Sequence, residues 1–183
     1  MIFRAIRLFH TIRFLKLKQI YFRIFYRIFP SRFFGIKECE INKKIEIPSF
    51  PTYFEICTND GINYKFLNQD KKINQKGFFL NYSKLWLYNF HYQNDLLIGG
   101  NKARLDLSCK IINSWIDSNQ SSSGVGWEPY CISLRSVNWM KWMFALPKEM
   151  LAEKWLKSLS KQISVLENTM EHHILGNHLL ANA

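Results

Sequence analysis

The chain has 183 residues, of which 48% are hydrophobic and 16% aromatic, so it can build one domain with a real core and is not intrinsically disordered. Its formal net charge of +11 favours an anionic partner, either nucleic acid, membrane lipid or an acidic polysaccharide. No apolar run approaches the ~20 residues of a membrane-spanning helix, and the charged N-terminus lacks the apolar core of a secretory signal. We therefore expect a cytoplasmic rather than a periplasmic protein.

Residues 1–34 form a basic, helix-prone arm in which Arg and Lys are interleaved with large apolar residues. Every charged residue before Glu38 is Arg or Lys. The pattern predicts two short helices that break near Lys18 and Gln19, and Pro30 closes the segment. Two interpretations are open. The arm binds a membrane or a polyanion, or it docks on the rest of the protein with its basic side chains lying along apolar surface.

Residues 35–80 read as a linker with short strands, because prolines interrupt the pattern near its middle. Alternation of apolar and polar residues in 54–58 and again in 62–67, on either side of the turn residues 59–61, predicts a β-hairpin. We expect a small β excursion and not a separate domain.

Residues 81–183 are predicted to be mainly helical. Apolar residues at helical spacing indicate helices at about 103–118 and 133–145, and a last helix or helix pair from Glu149 onward. The histidine-rich end, Glu171–Ala183, is expected to be helical as well. The alternation of helices and short loops predicts stacked α-hairpins.

The four cysteines include no CxxC pair, so neither a zinc ribbon nor a redox motif is expected. An even number permits two disulfides, but a long, Lys-rich chain is not a small disulfide scaffold. We therefore expect free thiols at Cys39, Cys57, Cys109 and Cys131.

Three stretches together resemble the N-terminal catalytic domain of the heparinase II/III family of polysaccharide lyases. They are LWLYNFHYQNDL (Leu85 to Leu96), GWEPYCISLRSVNWMKW (Gly126 to Trp142) and LENTMEHHILGNHLLANA (Leu166 to Ala183). The basic arm also resembles the start of bacterial members found near capsule and surface-polysaccharide genes. The resemblance implies a mainly α fold, namely a partial (α/α) toroid of stacked helical hairpins with a small β-hairpin in its first half. Full-length members continue into a β-sandwich domain, so we expect this shorter chain to be truncated.

The same resemblance implies β-elimination on a uronate-containing glycan, without a cofactor. This reaction removes the C5 proton of the uronate, and hydrogen-bond donors aimed at the adjacent carboxylate stabilise the negative charge that develops. One preorganised donor of this kind contributes about 2.7–4 kcal/mol. By resemblance, Asn177 is this donor, and His178 assists it or helps to hold the sugar. The catalytic Tyr of the family would lie beyond Ala183, so this chain alone is expected to be inactive.

The candidate substrate-binding residues are Trp127, Glu128, Tyr130, Arg135 and His173. Aromatic rings stack on sugar faces, and a guanidinium binds a carboxylate through two hydrogen bonds. An ion pair between Glu128 and Arg135 is an equal alternative. His173 shares a helix face with Asn177 and is expected to orient it. Trp139 is interpreted as a core residue rather than a sugar platform.

Three residues in the first stretch of the resemblance, Tyr88, Asn89 and His91, either line the mouth of the cleft or have a structural role. The histidines near the C-terminus do not suggest a metal site, because His172, His173 and His178 do not have the i, i+4 spacing of a zinc-binding helix. We interpret His172 as a structural histidine.

A function from another class stays open: a non-catalytic protein that binds a polyanion or a membrane surface through the basic arm. Its motivation is the unbalanced charge of residues 1–32. Nucleic acid is not an expected partner, because no helix-turn-helix, zinc or RNA-binding motif is present in the sequence.

Overall fold

The computed structural model describes residues 2–29, 56–73, 82–98, 102–175 and 180. In these residues the protein is mainly helical, with one small antiparallel hairpin. The helices are α1 (Ile2–Ile12), α2 (Leu17–Ile28), α3 (Lys84–Tyr92), α4 (Lys102–Ser118), α5 (Pro129–Phe144) and α6 (Glu153–Thr169), and the strands are β1 (Asn63–Phe66) and β2 (Gln69–Lys72). Among the described ranges, none of the helices combines the length and the apolar character needed to cross a bilayer.

The basic arm forms two helices, as predicted, but they separate at residues 13–16 and not near Lys18 and Gln19. Lys16 has an extended backbone, and its N–H donates a hydrogen bond to the side-chain oxygen of Gln19 at 2.9 Å. Gln19 therefore caps the start of α2, where the sequence suggested a break. Pro30 lies outside the described residues.

The hairpin exists, and β1 falls within the predicted strand 62–67, but its partner strand follows it in the sequence and does not precede it. β1 pairs with β2, and the described part of the predicted strand 54–58 is not a strand. Leu67 and Asn68 connect the strands, and both have positive φ. This is the backbone of a two-residue turn whose twist matches that of the flanking strands. Leucine is not a usual turn residue, so a turn is not expected from the residue type at this position.

Several predicted features lie outside the described residues. They include the linker prolines and the ends of the range 35–80. Of the four cysteines, Cys57, Cys109 and Cys131 are free thiols, as expected, and Cys39 is in a part of the chain that is not described.

The main apolar core lies between α4, α5 and α6. Its largest buried members are five tryptophans, namely Trp115 of α4, Trp127 just before α5, Trp139 and Trp142 of α5, and Trp155 of α6. Trp139 is fully buried, and its Nε1 donates a hydrogen bond to Gln93 Oε1 at 2.5 Å, so its interpretation as a core residue is confirmed. The predicted helices at 103–118 and 133–145 correspond to α4 and α5. α5 starts earlier than predicted because a proline fits the first turn of a helix.

The predicted helix at the C-terminal end does not continue through residues 170–175. These residues leave the helix after α6 and contain a turn. The Tyr26 hydroxyl donates a hydrogen bond to the Met170 carbonyl at 2.8 Å, and Gln19 Nε2 donates to the Ile174 carbonyl at 2.9 Å. α2 therefore supplies donors for backbone oxygens that a continued helix would satisfy internally.

Candidate functional site

Two of the three motifs meet at a half-exposed patch where α3 faces the start of α5. The patch, which we call the Tyr88 cluster, consists of Lys84, Tyr88 and Tyr92 from α3, with Glu128 and Tyr130 from the start of α5. The three α3 residues are four positions apart, so they share one face of the helix. The four residues other than Lys84 are partly buried, and Lys84 is exposed.

The Glu128 carboxylate lies at the centre of the cluster and contacts two of its residues. The Tyr88 hydroxyl donates a hydrogen bond to Glu128 Oε2. Lys84 Nζ lies 2.9 Å from the same oxygen and 5.4 Å from the centroid of the Tyr88 ring. Glu128 thus fixes a phenol and an ammonium group side by side, which is an arrangement suited to a ligand with hydroxyls and negative charge.

The tyrosine rings extend this centre into a row. Tyr92 meets the Tyr88 ring edge-on at 6.1 Å between centroids and the Tyr130 ring edge-on at 6.0 Å. Edge-to-face packing of this kind is a favourable geometry for aromatic pairs. The row therefore presents partly exposed aromatic surface beside polar groups.

Burial raises the pKa of Tyr88 above its ordinary value, and the hydrogen bond and negative charge of Glu128 raise it further. The charge of Glu171 makes the smallest contribution, in the same direction. Burial raises the pKa of Tyr92 as well. Both phenols are therefore protonated at neutral pH and act as hydrogen-bond donors. Burial also raises the pKa of Cys131 to about 12, so this thiol is not a nucleophile.

A buried polar network on another side of α3 fixes the position of the cluster. His91 Nδ1 accepts a hydrogen bond from Trp115 Nε1 at 3.1 Å, and the His91 carbonyl accepts one from Arg135 Nη1 at 3.2 Å. Arg135 Nε donates to Gln162 Oε1 at 2.7 Å, and the guanidinium carbon lies 3.9 Å from the Trp115 ring centroid. The network thus connects four helices, α3 to α6.

Burial and the nearby Arg135 charge lower the pKa of His91 to about 3, so its imidazole is neutral. Burial also lowers the pKa of Arg135, to about 9. Gly126 packs directly against His91, because a Cβ atom at Gly126 would lie 2.7 Å from the imidazole Cε1 and Nδ1 atoms. Because Gly126 of the GWEPY stretch has no side chain, it leaves room for the His91 ring, which links α3 to the core.

The structure places two of the predicted substrate-binding residues inside the protein. Arg135 is fully buried and takes part in the network, so it cannot reach a sugar carboxylate without unfolding its surroundings. Trp127 is buried, packs 5.8 Å from Trp115, and donates to the Asn119 carbonyl at 3.1 Å, so its ring does not form a sugar platform. Both side chains are buried and bonded within the protein, and this placement differs from the predicted contact with substrate.

Glu128 and Tyr130 are at the partly exposed cluster, where a glycan could contact them. The alternative of an ion pair between Glu128 and Arg135 is not what the structure contains. Glu128 instead bonds Tyr88 and Lys84, while Arg135 bonds Gln162 and His91.

His172 and His173 pack against the arm. The His172 ring stacks on Phe22 at 4.8 Å, and the His173 ring meets Tyr26 edge-on at 5.6 Å. His172 thus has the packing contact of a structural histidine, but it is not the satisfied histidine that was predicted, because its buried Nδ1 has no hydrogen-bond partner within the described residues. His173 was expected to share a helix face with Asn177. His173 is in a turn and not in a helix, so the basis of that expectation is absent.

The predicted catalytic residues, Asn177 and His178, lie outside the described residues. Their roles remain predictions from the family resemblance.

The structure gives a different environment to each of the three residues whose roles the sequence left undecided. Tyr88 is at the centre of the cluster, His91 is buried, and the Asn89 side chain donates to the Leu85 carbonyl of its own helix at 2.8 Å. Sequence reasoning missed Lys84 and Tyr92. The repeated spacing of four between them and Tyr88 was the signal that a shared helix face would have revealed.

Within the residues that the structure describes, no three His, Cys, Asp or Glu side chains are grouped so that they could hold a metal ion. The groups available to a ligand at the Tyr88 cluster are phenols, a carboxylate and an ammonium group. Compared with models of protein families, with curated proteins and with solved structures, the chain matches none.

Proposed function

We propose that the chain forms the first helical part of a polysaccharide lyase of the heparinase II/III type, which cleaves an acidic, uronate-containing glycan by β-elimination. In this proposal α3 to α6 are the first hairpins of a partial (α/α) toroid. The packing of α5 on α6 and of α4 on α6 around one core supports such an arrangement.

One observation carries the proposal. The motifs LWLYNFHYQNDL and GWEPYCISLRSVNWMKW are far apart in the sequence, yet they meet at the Tyr88 cluster through the bond between Tyr88 and Glu128. A shared functional surface explains why the stretches that carry the resemblance meet at partly exposed polar groups.

The chemistry of the cluster suits a glycan. Tyrosine rings offer flat apolar surface to the C–H faces of a sugar, and the Lys84 ammonium offers a positive charge to a uronate. The Glu128 carboxylate accepts hydrogen bonds from hydroxyls. We assign substrate binding, and not proton transfer, to these groups.

In the proposed reaction a base removes the C5 proton of the uronate, and its electrons form the C4–C5 double bond. The bond from C4 to the glycosidic oxygen breaks, and that oxygen takes up a proton from an acid. Asn177 donates a hydrogen bond to the uronate carboxylate as charge develops on it, and His178 assists.

The test uses the protein expressed from its natural reading frame and measures the ultraviolet absorbance of unsaturated uronate products. We expect Asn177→Ala to lower turnover by about 10²-fold or more, the effect of losing one preorganised donor. The matched control is Asn168→Ala, because the Asn168 amide donates only to the Ser164 carbonyl of its own helix in the described contacts, at 2.7 Å.

Equal turnover of the Asn177→Ala variant and the wild type would remove Asn177 from the mechanism. Absence of unsaturated products from every acidic glycan tested, with the wild-type protein folded, would reject the lyase assignment itself.

A further inference from the structure

Helix α2 has two opposite faces with different surroundings. Gln19, Phe22 and Tyr26 are spaced i, i+3 and i+7 and contact the turn at 170–175. Leu17, Tyr21, Ile24 and Ile28 follow the spacing i, i+4, i+7 and i+11, so they lie on the opposite side of the helix. We call these four residues the apolar stripe.

The apolar stripe is exposed along the whole helix. Leu17 is 85% exposed, Ile24 is 55% exposed and Ile28 is 63% exposed. Scattered apolar residues are normal on protein surfaces, but a continuous apolar stripe on a helix marks an interaction surface. The docked face already fixes α2 on the protein, so the stripe is not needed for that contact.

Basic side chains border the stripe on both sides. At 100° per residue, Lys18 falls on one edge of the stripe and Arg27 on the other, and Arg23 lies between Arg27 and the docked face. All three are exposed. Every charged residue from 2 to 29 is Arg or Lys, so no acidic group in this range offsets their charge.

Helix α1 has the same character. Ile6, Phe9 and Ile12 are exposed and share one face, while Arg7 and Thr11 lie on the other. Each helix of the arm therefore combines exposed large apolar side chains with positive charge. A helix with these two properties binds in the plane of an anionic lipid surface, with its apolar side chains among the acyl chains.

We propose that the arm is an interfacial membrane anchor: the apolar stripe of α2 inserts into an anionic lipid surface, and the bordering Lys and Arg residues contact lipid phosphates. α2 has 12 residues and is about 18 Å long, which is short of the ~30 Å hydrocarbon core, so the helix lies in the surface and does not cross it. This inference does not depend on the proposed lyase activity.

The stripe distinguishes lipid from an acidic glycan as the partner of the arm. A polyanion is recognised by the basic side chains and gains little from exposed isoleucine and leucine, whereas a bilayer is bound through both. Replacing the stripe at constant charge therefore separates the two partners.

The experiment measures co-sedimentation of the protein with phosphatidylglycerol-containing vesicles and with pure phosphatidylcholine vesicles. We expect binding to the anionic vesicles that weakens with added salt. A variant with Leu17→Gln, Ile24→Gln and Ile28→Gln should bind at least about tenfold more weakly, because it loses apolar insertion while its charge is unchanged.

The matched control carries Leu85→Gln, Val137→Gln and Phe144→Gln, three exposed apolar helical residues outside the arm, and should bind like the wild type. Circular dichroism checks that all variants are folded. Three results would overturn the anchor: no binding to anionic vesicles, equal binding by the stripe variant, or stripe-independent binding to an acidic glycan in place of vesicles.

Discussion

The Tyr88 hydroxyl donates a hydrogen bond to Glu128 Oε2, which joins α3 to the residue that precedes α5 across 40 positions of sequence. Glu128 also holds Lys84 at 2.9 Å, so removal of one partner alters the others. The bond thus connects the fold to the proposed glycan-binding surface, and the two roles can be measured separately.

Substitution Tyr88→Phe removes this bond and keeps the ring. We expect the free energy of unfolding to fall by about 1 kcal/mol, because the bond is partly exposed. Glycan affinity should fall by roughly tenfold, since the phenol and the ordered Glu128 carboxylate are both lost to the ligand. Calorimetry of binding to a uronate-containing oligosaccharide measures the second effect.

Tyr82→Phe is the control for this change. The Tyr82 hydroxyl donates to the Lys72 carbonyl at 2.8 Å, so its loss has a similar effect on stability through a hydrogen bond that involves no residue of the Tyr88 cluster. Its glycan affinity should match the wild type. Equal losses of affinity in the two variants would mean that the cluster does not bind the glycan.

Gly126→Ala tests the contact with His91. The added methyl would lie 2.7 Å from imidazole atoms, and relief of such a clash typically costs about 1–3 kcal/mol of stability. Chemical denaturation measures the change.

The same substitution made in a His91→Ala background should cost at least about 1 kcal/mol less, because the ring that it meets is absent. Full additivity of the two substitutions would show that the cost at Gly126 arises from the backbone and not from His91.

The buried His91 predicts a loss of stability in acid. Its pKa is about 3 in the folded protein and about 6.5 in the unfolded chain, so between these values the unfolded chain binds more protons. The contribution is complete above the unfolded pKa and decreases as the pH falls toward the folded pKa. From pH 7 to pH 5 the wild type should lose about 2 kcal/mol more than His91→Gln.

Urea unfolding at a series of pH values checks this, and the difference between the two proteins at pH 8 gives the baseline. Parallel curves for wild type and variant would show that His91 does not titrate differently in the two states.

The contact between α2 and the turn at 170–175 depends on Tyr26. Tyr26→Phe loses the hydrogen bond to the Met170 carbonyl, so we expect stability to fall by about 1 kcal/mol and amide exchange in the turn to become faster. Tyr21→Phe on the exposed face of the same helix should change neither quantity. A matching effect of both variants would contradict the docking described for α2.

The helices with clear apolar spacing could be predicted from the sequence. α4 and α5 are close to their expected ranges, because Ile111, Trp115 and Trp139 lie on faces that the core buries. The arm was correctly predicted as two helices. The predicted position of the break was wrong, because Gln19 accepts a hydrogen bond from the Lys16 N–H and so belongs to the first turn of α2.

Other features depend on contacts that sequence spacing does not contain. Residues 170–175 leave the helix because α2 supplies donors to their carbonyls, and α2 is more than a hundred positions away. Arginine is a common ligand-binding residue, but the Nε and Nη1 groups of Arg135 donate to Gln162 and to the His91 carbonyl inside the core. The hairpin turn at Leu67 and Asn68 has a backbone that leucine rarely adopts.

The chemical identity of the cleavage products tests the proposed β-elimination most directly. The protein expressed from its natural reading frame is incubated with a uronate-containing glycan and, separately, with the same glycan after reduction of its carboxyl groups. The masses of the products are measured by mass spectrometry. We expect oligosaccharides with an unsaturated end, lighter by one water than hydrolysis products, from the uronate glycan alone. Saturated products, or equal cleavage of the reduced glycan, would contradict β-elimination.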